Sequence, residues 1–295
     1  MNNLKIKKFD KYVLDKAKLI TNGTSFFRTY DLNNGNIIKI AKSYDECDNS
    51  LYLRNYYQEF MDNIYNKVEY SKNIDSSSIV LPNCIYLKND RFVGYSIKKQ
   101  ENVIDLNKYL MKNDSLESVS EIIIKLTLEV RKLNKENINL PDLGNLNNVL
   151  IDSKKELKFI DYDGMQIDKY YSYSVSSLIN YSYIPFTENI KYCDLKTGLI
   201  NSNLDKLSLY TLFLWYTASS IPFLFHPCDY VKVNGKLTLK KEIITKYLEE
   251  IGLNNTVFGE NIYRIHNEEK LNYPDIPIKK LLCTHTLKNN KFILK

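Results

Sequence analysis

The dominant hydrophobic period of this chain changes near residue 103, and that change limits the folds open to it. Before it, apolar and polar residues alternate over short runs divided by turn-forming residues, the pattern of half-buried strands. Ala17–Ile20 and Phe26–Leu32 read as strands on either side of Asn22-Gly23-Thr24-Ser25. Asn33-Asn34-Gly35-Asn36 is a hairpin signal, because Asn and Gly accept the left-handed backbone of tight turns, and Ile37–Ala41 follows as a third strand. Ile79–Leu87 and Phe92–Ile97 pair around Lys88-Asn89-Asp90. One helix is expected between them, over residues 50–67, where Leu53, Tyr57, Phe60 and Ile64 recur at helical spacing.

After residue 103 the period becomes 3.6. Val119, Ile122, Ile123, Leu126, Val130 and Leu133 fall on one helical face, opened by a capping-box pattern over Asp114–Glu117. Two short strands follow, Val149–Ile151 and Leu157–Ile160, then an apolar helix from about Asp205. An amphipathic helix over Lys240–Ile251 is ended by Gly252. The expectation is an α+β chain, with a β-rich unit over residues 1–100 and a larger, mainly helical unit over 101–295.

Composition narrows the function classes. An apolar share of 44% and a charged share of 26% suit an ordinary folded protein. The formal charge of +6 is spread out, with modest basic excess at Lys5, Lys7, Lys8 and Lys11 and again at Lys279, Lys280, Lys288, Lys291 and Lys295. A nucleic-acid face would gather that charge with interleaved aromatics, so solvated surface is expected and no nucleic-acid partner. The five cysteines form no CxxC pair, and the three histidines lack metal-ligand spacing, so neither a disulfide framework nor a zinc site is expected. Leu207–Phe225 is uncharged and long enough to span a bilayer, but Ser208, Thr211, Thr217, Ser219, Ser220 and Pro222 interrupt it. A buried helix and no membrane association are expected. The Lys-rich start lacks an apolar core, so a cytoplasmic chain without a signal peptide is expected.

The stretch with chemical content is Leu140-Pro141-Asp142-Leu143-Gly144-Asn145-Leu146-Asn147-Asn148-Val149-Leu150-Ile151, followed by Phe159-Ile160-Asp161-Tyr162-Asp163-Gly164. It sets an acid on a loop, an amide entering a short strand, and a second acid leaving the next strand. Phosphoryl transfer needs these three groups: a carboxylate to position or deprotonate the acceptor hydroxyl, and an amide oxygen with a second carboxylate to hold Mg²⁺ against the phosphates.

The stretch resembles the catalytic loop and metal motif of the protein-kinase-like superfamily, which includes eukaryotic-type protein kinases and aminoglycoside-type phosphotransferases. Asp142 matches the Asp of H-R-D-L-x-x-x-N, Asn148 its Asn, and Asp161-Tyr162 the first two residues of D-F-G. Asn22-Gly23-Thr24-Ser25-Phe26-Phe27 is similar to a degenerate Gly-rich loop and Ile37-Ile38-Lys39 to the family's V-A-I-K strand, while Glu59 lies where the helix C Glu falls. Asp205-Lys206-Leu207-Ser208-Leu209 is similar to the start of helix F, so the resemblance spans about residues 17–216.

The resemblance implies a bilobal fold that binds ATP and Mg²⁺. Asp142 is then the catalytic carboxylate and Asn148 and Asp161 the metal ligands. Lys39, fixed by Glu59, contacts the α- and β-phosphates, Gly23, Thr24 and Ser25 cover the nucleotide, and Asp205 anchors the catalytic loop. Lys42, after Ile40-Ala41, is the rival to Lys39, and Asn147 the rival to Asn148. The implied reaction moves the γ-phosphoryl group to a Ser/Thr hydroxyl of a protein. The alternatives are a small-molecule acceptor and a nucleotide-binding pseudokinase or scaffold.

Several residues depart from the family pattern. Leu140-Pro141 replaces His-Arg, Asn148 stands six positions after Asp142 where the motif has five, and no A-P-E triplet lies between Asp163 and Asp205. Asp163 replaces the D-F-G glycine, adding a carboxylate that either assists the metal or caps the next turn. The extra loop residue is expected to bulge among Gly144, Asn145 and Leu146, with Gly144 supplying the permissive backbone.

Overall fold

The strand-forming residues before residue 100 assemble into one six-stranded sheet, in the order β1-β5-β6-β4-β3-β2. The strands are β1 (Lys5–Lys8), β2 (Lys18–Thr21), β3 (Phe27–Asp31), β4 (Asn36–Ala41), β5 (Pro82–Lys88) and β6 (Arg91–Lys98). The computed structural model describes residues 3–21, 26–46, 56–113, 115–172, 192, 197, 199–218, 230–233, 236–267, 270–279, 281, 285–288 and 291–294. The chain is mixed α+β and divides into two compact units. Met1–Val103 and Lys158–Asp163 form the first, and Ile104–Leu157 and Gly164–Lys295 the second.

In the first unit β1 joins the sheet parallel to β5, and the other pairings are antiparallel. β3 and β4 turn through Asn33 (φ +55°) and Gly35 (φ +81°). β5 and β6 turn through Asn89 (φ +48°) and Asp90 (φ +59°), between the register partners Lys88 and Arg91. Two left-handed residues in a two-residue loop match the right-handed twist of the flanking strands. Helix α1 (Tyr57–Tyr70) buries Phe60, Met61, Ile64 and Val68, and Phe60 meets Phe26 edge-on at 4.9 Å between centroids. The expected helix began at residue 50, and positions 50–55 lie outside the described residues. Ile38, Cys84 and Tyr86 are buried against Phe9, Val13, Leu14 and Ile40. Because side chains alternate along a strand, Lys39 is directed to the face opposite Ile38.

In the second unit the side chain of Asp105, the last residue of β7 (Val103–Asp105), caps α2 (Leu106–Met111) by accepting from the Lys108 N–H at 2.8 Å. Ser115 caps α3 (Leu116–Lys135), its hydroxyl accepting from the Ser118 N–H. The cap is Ser115 where the capping-box pattern pointed to Asp114, a position outside the described residues; Ser115 has the extended backbone (φ −93°, ψ 115°) that the cap position requires. All six apolar positions expected on α3 are buried. The short strands β8 (Ile138–Asn139) and β11 (Gln166–Ile167) pair antiparallel. Between them in sequence lie β9 (Val149–Asp152) and β10 (Leu157–Phe159). The chain passes back into the first unit within β10, where Phe159 bridges Ile79 in parallel. There its N–H donates to the Ser78 carbonyl at 2.7 Å and its carbonyl accepts from Val80 at 2.9 Å.

Helix α4 (Asn203–Ala218) is buried along most of its length. Helix α5 (Lys241–Glu250) stops at Gly252 (φ +65°), as its sequence predicts. Helix α6 (Val257–Asn267) and the hairpins β12–β13 (Tyr230–Val233, Lys236–Leu239) and β14–β15 (His285–Lys288, Lys291–Leu294) complete the described elements. Among the described residues, no helix is long and apolar enough to cross a membrane.

Candidate functional site

In the first unit, charge is concentrated around Lys39. Its ammonium donates to the carboxylates of both Asp161 and Asp163, and its side chain is only 12% exposed. Lys39 on β4 and Tyr95 on β6 are direct register partners, so their side chains stand on one face of the sheet. The Tyr95 hydroxyl donates to the same Asp163 oxygen that Lys39 reaches. The strands are close at this point: a Cβ on Gly94 would lie 2.1 Å from the Lys39 carbonyl oxygen.

A fifth group closes the cluster from α1. Lys67 is fully buried, and its ammonium donates to the Asp163 backbone carbonyl at 2.9 Å. The Tyr162 hydroxyl returns a bond to the Lys67 carbonyl, also at 2.9 Å. Asp161 has φ +67°, a left-handed backbone that costs a non-glycine residue about 1 kcal/mol or more and is held only where surroundings fix it.

The electrostatics follow from this packing. Burial works against the Lys39 ammonium, but Asp161 and Asp163 outweigh it and hold the lysine well above its usual range. Burial likewise opposes the Asp163 carboxylate, yet the Lys39 charge and the bonds from Lys39 and Tyr95 draw it below its ordinary value. Asp161 moves the other way, raised by burial and by the neighbouring Asp163 charge against the pull of Lys39. Burial lowers Lys67 to about 7.

In the second unit the loop from Leu140 to Asn148 is tied at both ends. The fully buried Asp205 carboxylate accepts from the Leu140 N–H at 3.0 and 3.2 Å and from the Asn134 amide. The Tyr273 hydroxyl donates to the Asn134 side-chain oxygen at 2.7 Å. Burial raises Asp205 to about 7, against these donors. Along the loop, one Asp142 carboxylate oxygen accepts from the side-chain amides of Asn148 at 3.1 Å and Asn145 at 3.3 Å.

Asn147 is exposed and donates to the Asn145 side chain. It is therefore Asn148 that shares a bond with Asp142. The extra residue is absorbed by successive turns, Leu143 N–H to Leu140, Asn145 N–H to Asp142 and Asn148 N–H to Asn145. They end in a 3-10 turn over Leu146–Asn148. Gly144, expected to supply a permissive backbone, does not use the left-handed region; among described glycines only Gly35 and Gly252 do. Leu143 and Leu146 of this turn series are buried.

The structure thus brings Lys39 to Asp161, and Asp142 to Asn148, each pair within one unit. Glu59 is exposed in the first turn of α1, while the carboxylates bonded to Lys39 are Asp161 and Asp163. Lys42 follows β4, and its carbonyl accepts from the Tyr57 hydroxyl at 2.7 Å. Gly23, Thr24 and Ser25 lie outside the described residues.

Sequence reasoning missed Tyr95 and Lys67. Tyr95 could be found only once the β4–β6 register was known. Lys67 did leave a signal: it lies seven positions after Phe60 and three after Ile64, on the apolar stripe of its helix. A lysine there must either snorkel out or find a buried acceptor.

Among the described residues, no group of three or more His, Cys, Asp or Glu side chains is arranged to hold a metal ion. One or two carboxylates suffice for Mg²⁺ bound together with phosphates and water, and Asp161 is the more exposed of the two acids bonded to Lys39. The sequence matches no protein-family model and no curated protein.

Proposed function

We propose that the chain is a divergent member of the protein-kinase-like superfamily with that superfamily's bilobal fold. In this reading it uses ATP and Mg²⁺ to move the γ-phosphoryl group to a hydroxyl of a protein acceptor. One observation carries the reading: a mid-strand lysine, Lys39, is ion-paired to Asp161, an acid 122 residues away that leaves β10 in a left-handed conformation. An ordinary structural ion pair does not require strained backbone at one partner, and such strain gathers at functional sites.

The roles follow from the groups present. Lys39 contacts the α- and β-phosphates. Asp161 in the first unit and Asn148 in the second are the residues that the resemblance assigns to Mg²⁺, and the ion would supply charge neutralisation for the transferring group. Asp142 orients the acceptor hydroxyl and takes its proton, and the side-chain amide of Asn148 on its carboxylate fixes its direction. Asp205 holds the start of the loop that carries Asp142.

The test is thermal melting with Mg·ATP, followed by transfer of label from γ-labelled ATP. A ligand at about 100 times its dissociation constant adds about 2.7 kcal/mol of stability, so wild type should melt later with Mg·ATP and Asp161→Asn should lose most of that gain. Label should appear in protein. No Mg·ATP-dependent rise in the wild-type melting temperature would sink the reading.

A further inference from the structure

We infer that Asp163 is the positioning residue for Lys39, filling the task that the family resemblance gives to Glu59. This rests on the kinase-like reading above. Three side chains from three elements converge on Asp163: Lys39 of β4 and Tyr95 of β6 on its carboxylate, and Lys67 of α1 on its carbonyl. Its carboxylate and its backbone are therefore both fixed. The side chain of Asp163 is 16% exposed and that of Asp161 28%, so Asp161 is the more open of the two acids.

Charge balance makes two acids necessary. A cation at the nucleotide phosphates draws on Asp161. If Asp161 were the lone counter-ion of Lys39, that recruitment would strip a largely buried ammonium of its partner, a costly state. Asp163 would keep Lys39 paired and aimed when a cation engages Asp161. Glu59, exposed in the first turn of α1, is not among the acids bonded to Lys39. The substitution of Asp for the D-F-G glycine thus moves the anchor of the lysine from the helix to the metal-binding segment itself.

The experiment is calorimetric titration of the full chain with Mg²⁺ and a non-hydrolysable ATP analogue, alongside KM and kcat for ATP. Asp163→Asn should weaken analogue binding by about tenfold or more, and most of the fall in kcat/KM should come through KM. Tyr95→Phe, which deletes one hydroxyl, should weaken it by about threefold. Because Asp163 acts through Lys39, Asp163→Asn in a Lys39→Met background should cause no further loss, whereas a merely structural role would add to it.

Far-UV circular dichroism checks folding of each variant. If Asp163→Asn does not fold, Tyr95→Phe carries the same cycle with Lys39→Met. A folded Asp163→Asn that binds like wild type, additive losses in the double variant, or an equal loss in Glu59→Gln would each overturn the inference. Wild type that fails to bind the analogue at all overturns the kinase-like reading and the inference with it. Wild-type binding with a silent Asp163→Asn overturns the inference alone.

Discussion

Asp163 in the first unit and Asp205 in the second are both largely buried aspartates, yet their surroundings push them in opposite directions. Burial opposes ionisation of both. Asp163 meets an ammonium and a hydroxyl, and its carboxyl is drawn below the ordinary range. Asp205 accepts from the neutral Leu140 N–H and Asn134 amide, with the Lys206 charge a smaller pull, and stays raised to about 7. The kind of donor decides the outcome. A carboxylate facing a cation is kept charged and can organise further charge around it. A carboxylate facing neutral N–H groups is a fastener for backbone, and burial favours its protonated form.

The comparison can be broken by removing each set of partners in turn. Lys39→Met should cost about 3–5 kcal/mol of stability, the usual penalty for leaving buried charge without its partner, measured by urea unfolding. A cost below about 1 kcal/mol would mean that the two carboxylates do not depend on the cation. Asp205→Ala should cost about 2–3 kcal/mol by leaving the Leu140 N–H and the Asn134 amide without their acceptor. Asp205→Asn, which keeps one acceptor oxygen, should cost less.

Two opposite pH trends sharpen the contrast. Asp205 holds its proton more tightly in the folded protein than at its ordinary value of 3.8. Its contribution should therefore fall as pH rises from about 4 to about 7, by up to about 1.4 kcal/mol per unit. Lys67 is lowered to about 7 from 10.5, so the unfolded chain binds the extra proton between those values. Its contribution should rise with pH from about 7 to about 10. Unfolding titrations of wild type, Asp205→Asn and Lys67→Met would show each slope and its loss. An unchanged slope in Asp205→Asn would contradict the assignment.

The smallest effect belongs to the loop amides. Asn148→Ala should cost about 1 kcal/mol through its bond to Asp142, and Asn147→Ala, which is exposed, less than about 0.5 kcal/mol. On the proposed function, Asn148→Ala should also abolish magnesium-dependent turnover while Asn147→Ala retains most of it. Equal losses for the two would show that the loop does not discriminate between them.

Much of the first unit was legible because its strands are half-buried and alternate: β3, β4, β5 and β6 fall within a few residues of their expected places. β1 was not, because all four residues of Lys5–Lys8 are exposed, and a strand held by backbone pairing at a sheet edge leaves no periodic trace. The α3 face was fully readable, and its cap was displaced by one residue since Asp and Ser compete for that position on similar terms. At the site, Lys39 and Asp161 were readable as residue types in sequence order. Their association through Asp163 and Tyr95 was not, because it depends on strand register and on where the segment after β10 lies. Helix α6 does carry a helical period, with Phe258 and Ile262 both fully buried, and Asn234-Gly235 between β12 and β13 is a hairpin signal; both went unread although the sequence holds them.

The first unit is made of two separate lengths of chain, with Lys158–Asp163 returning to it after an excursion of 54 residues, Ile104–Leu157. Anyone who expresses residues 1–103 as a stand-alone module therefore leaves out the Phe159 backbone that bridges Ile79 and both acids that neutralise Lys39. Such a fragment is missing a part, and a synthetic peptide covering 158–163 is the part to add back. Complementation in trans, with the peptide restoring a cooperative melt to the fragment, would turn a discontinuity of the chain into a practical handle. The same discontinuity means that recombination at residue 103 cannot pass this unit on as an intact cassette.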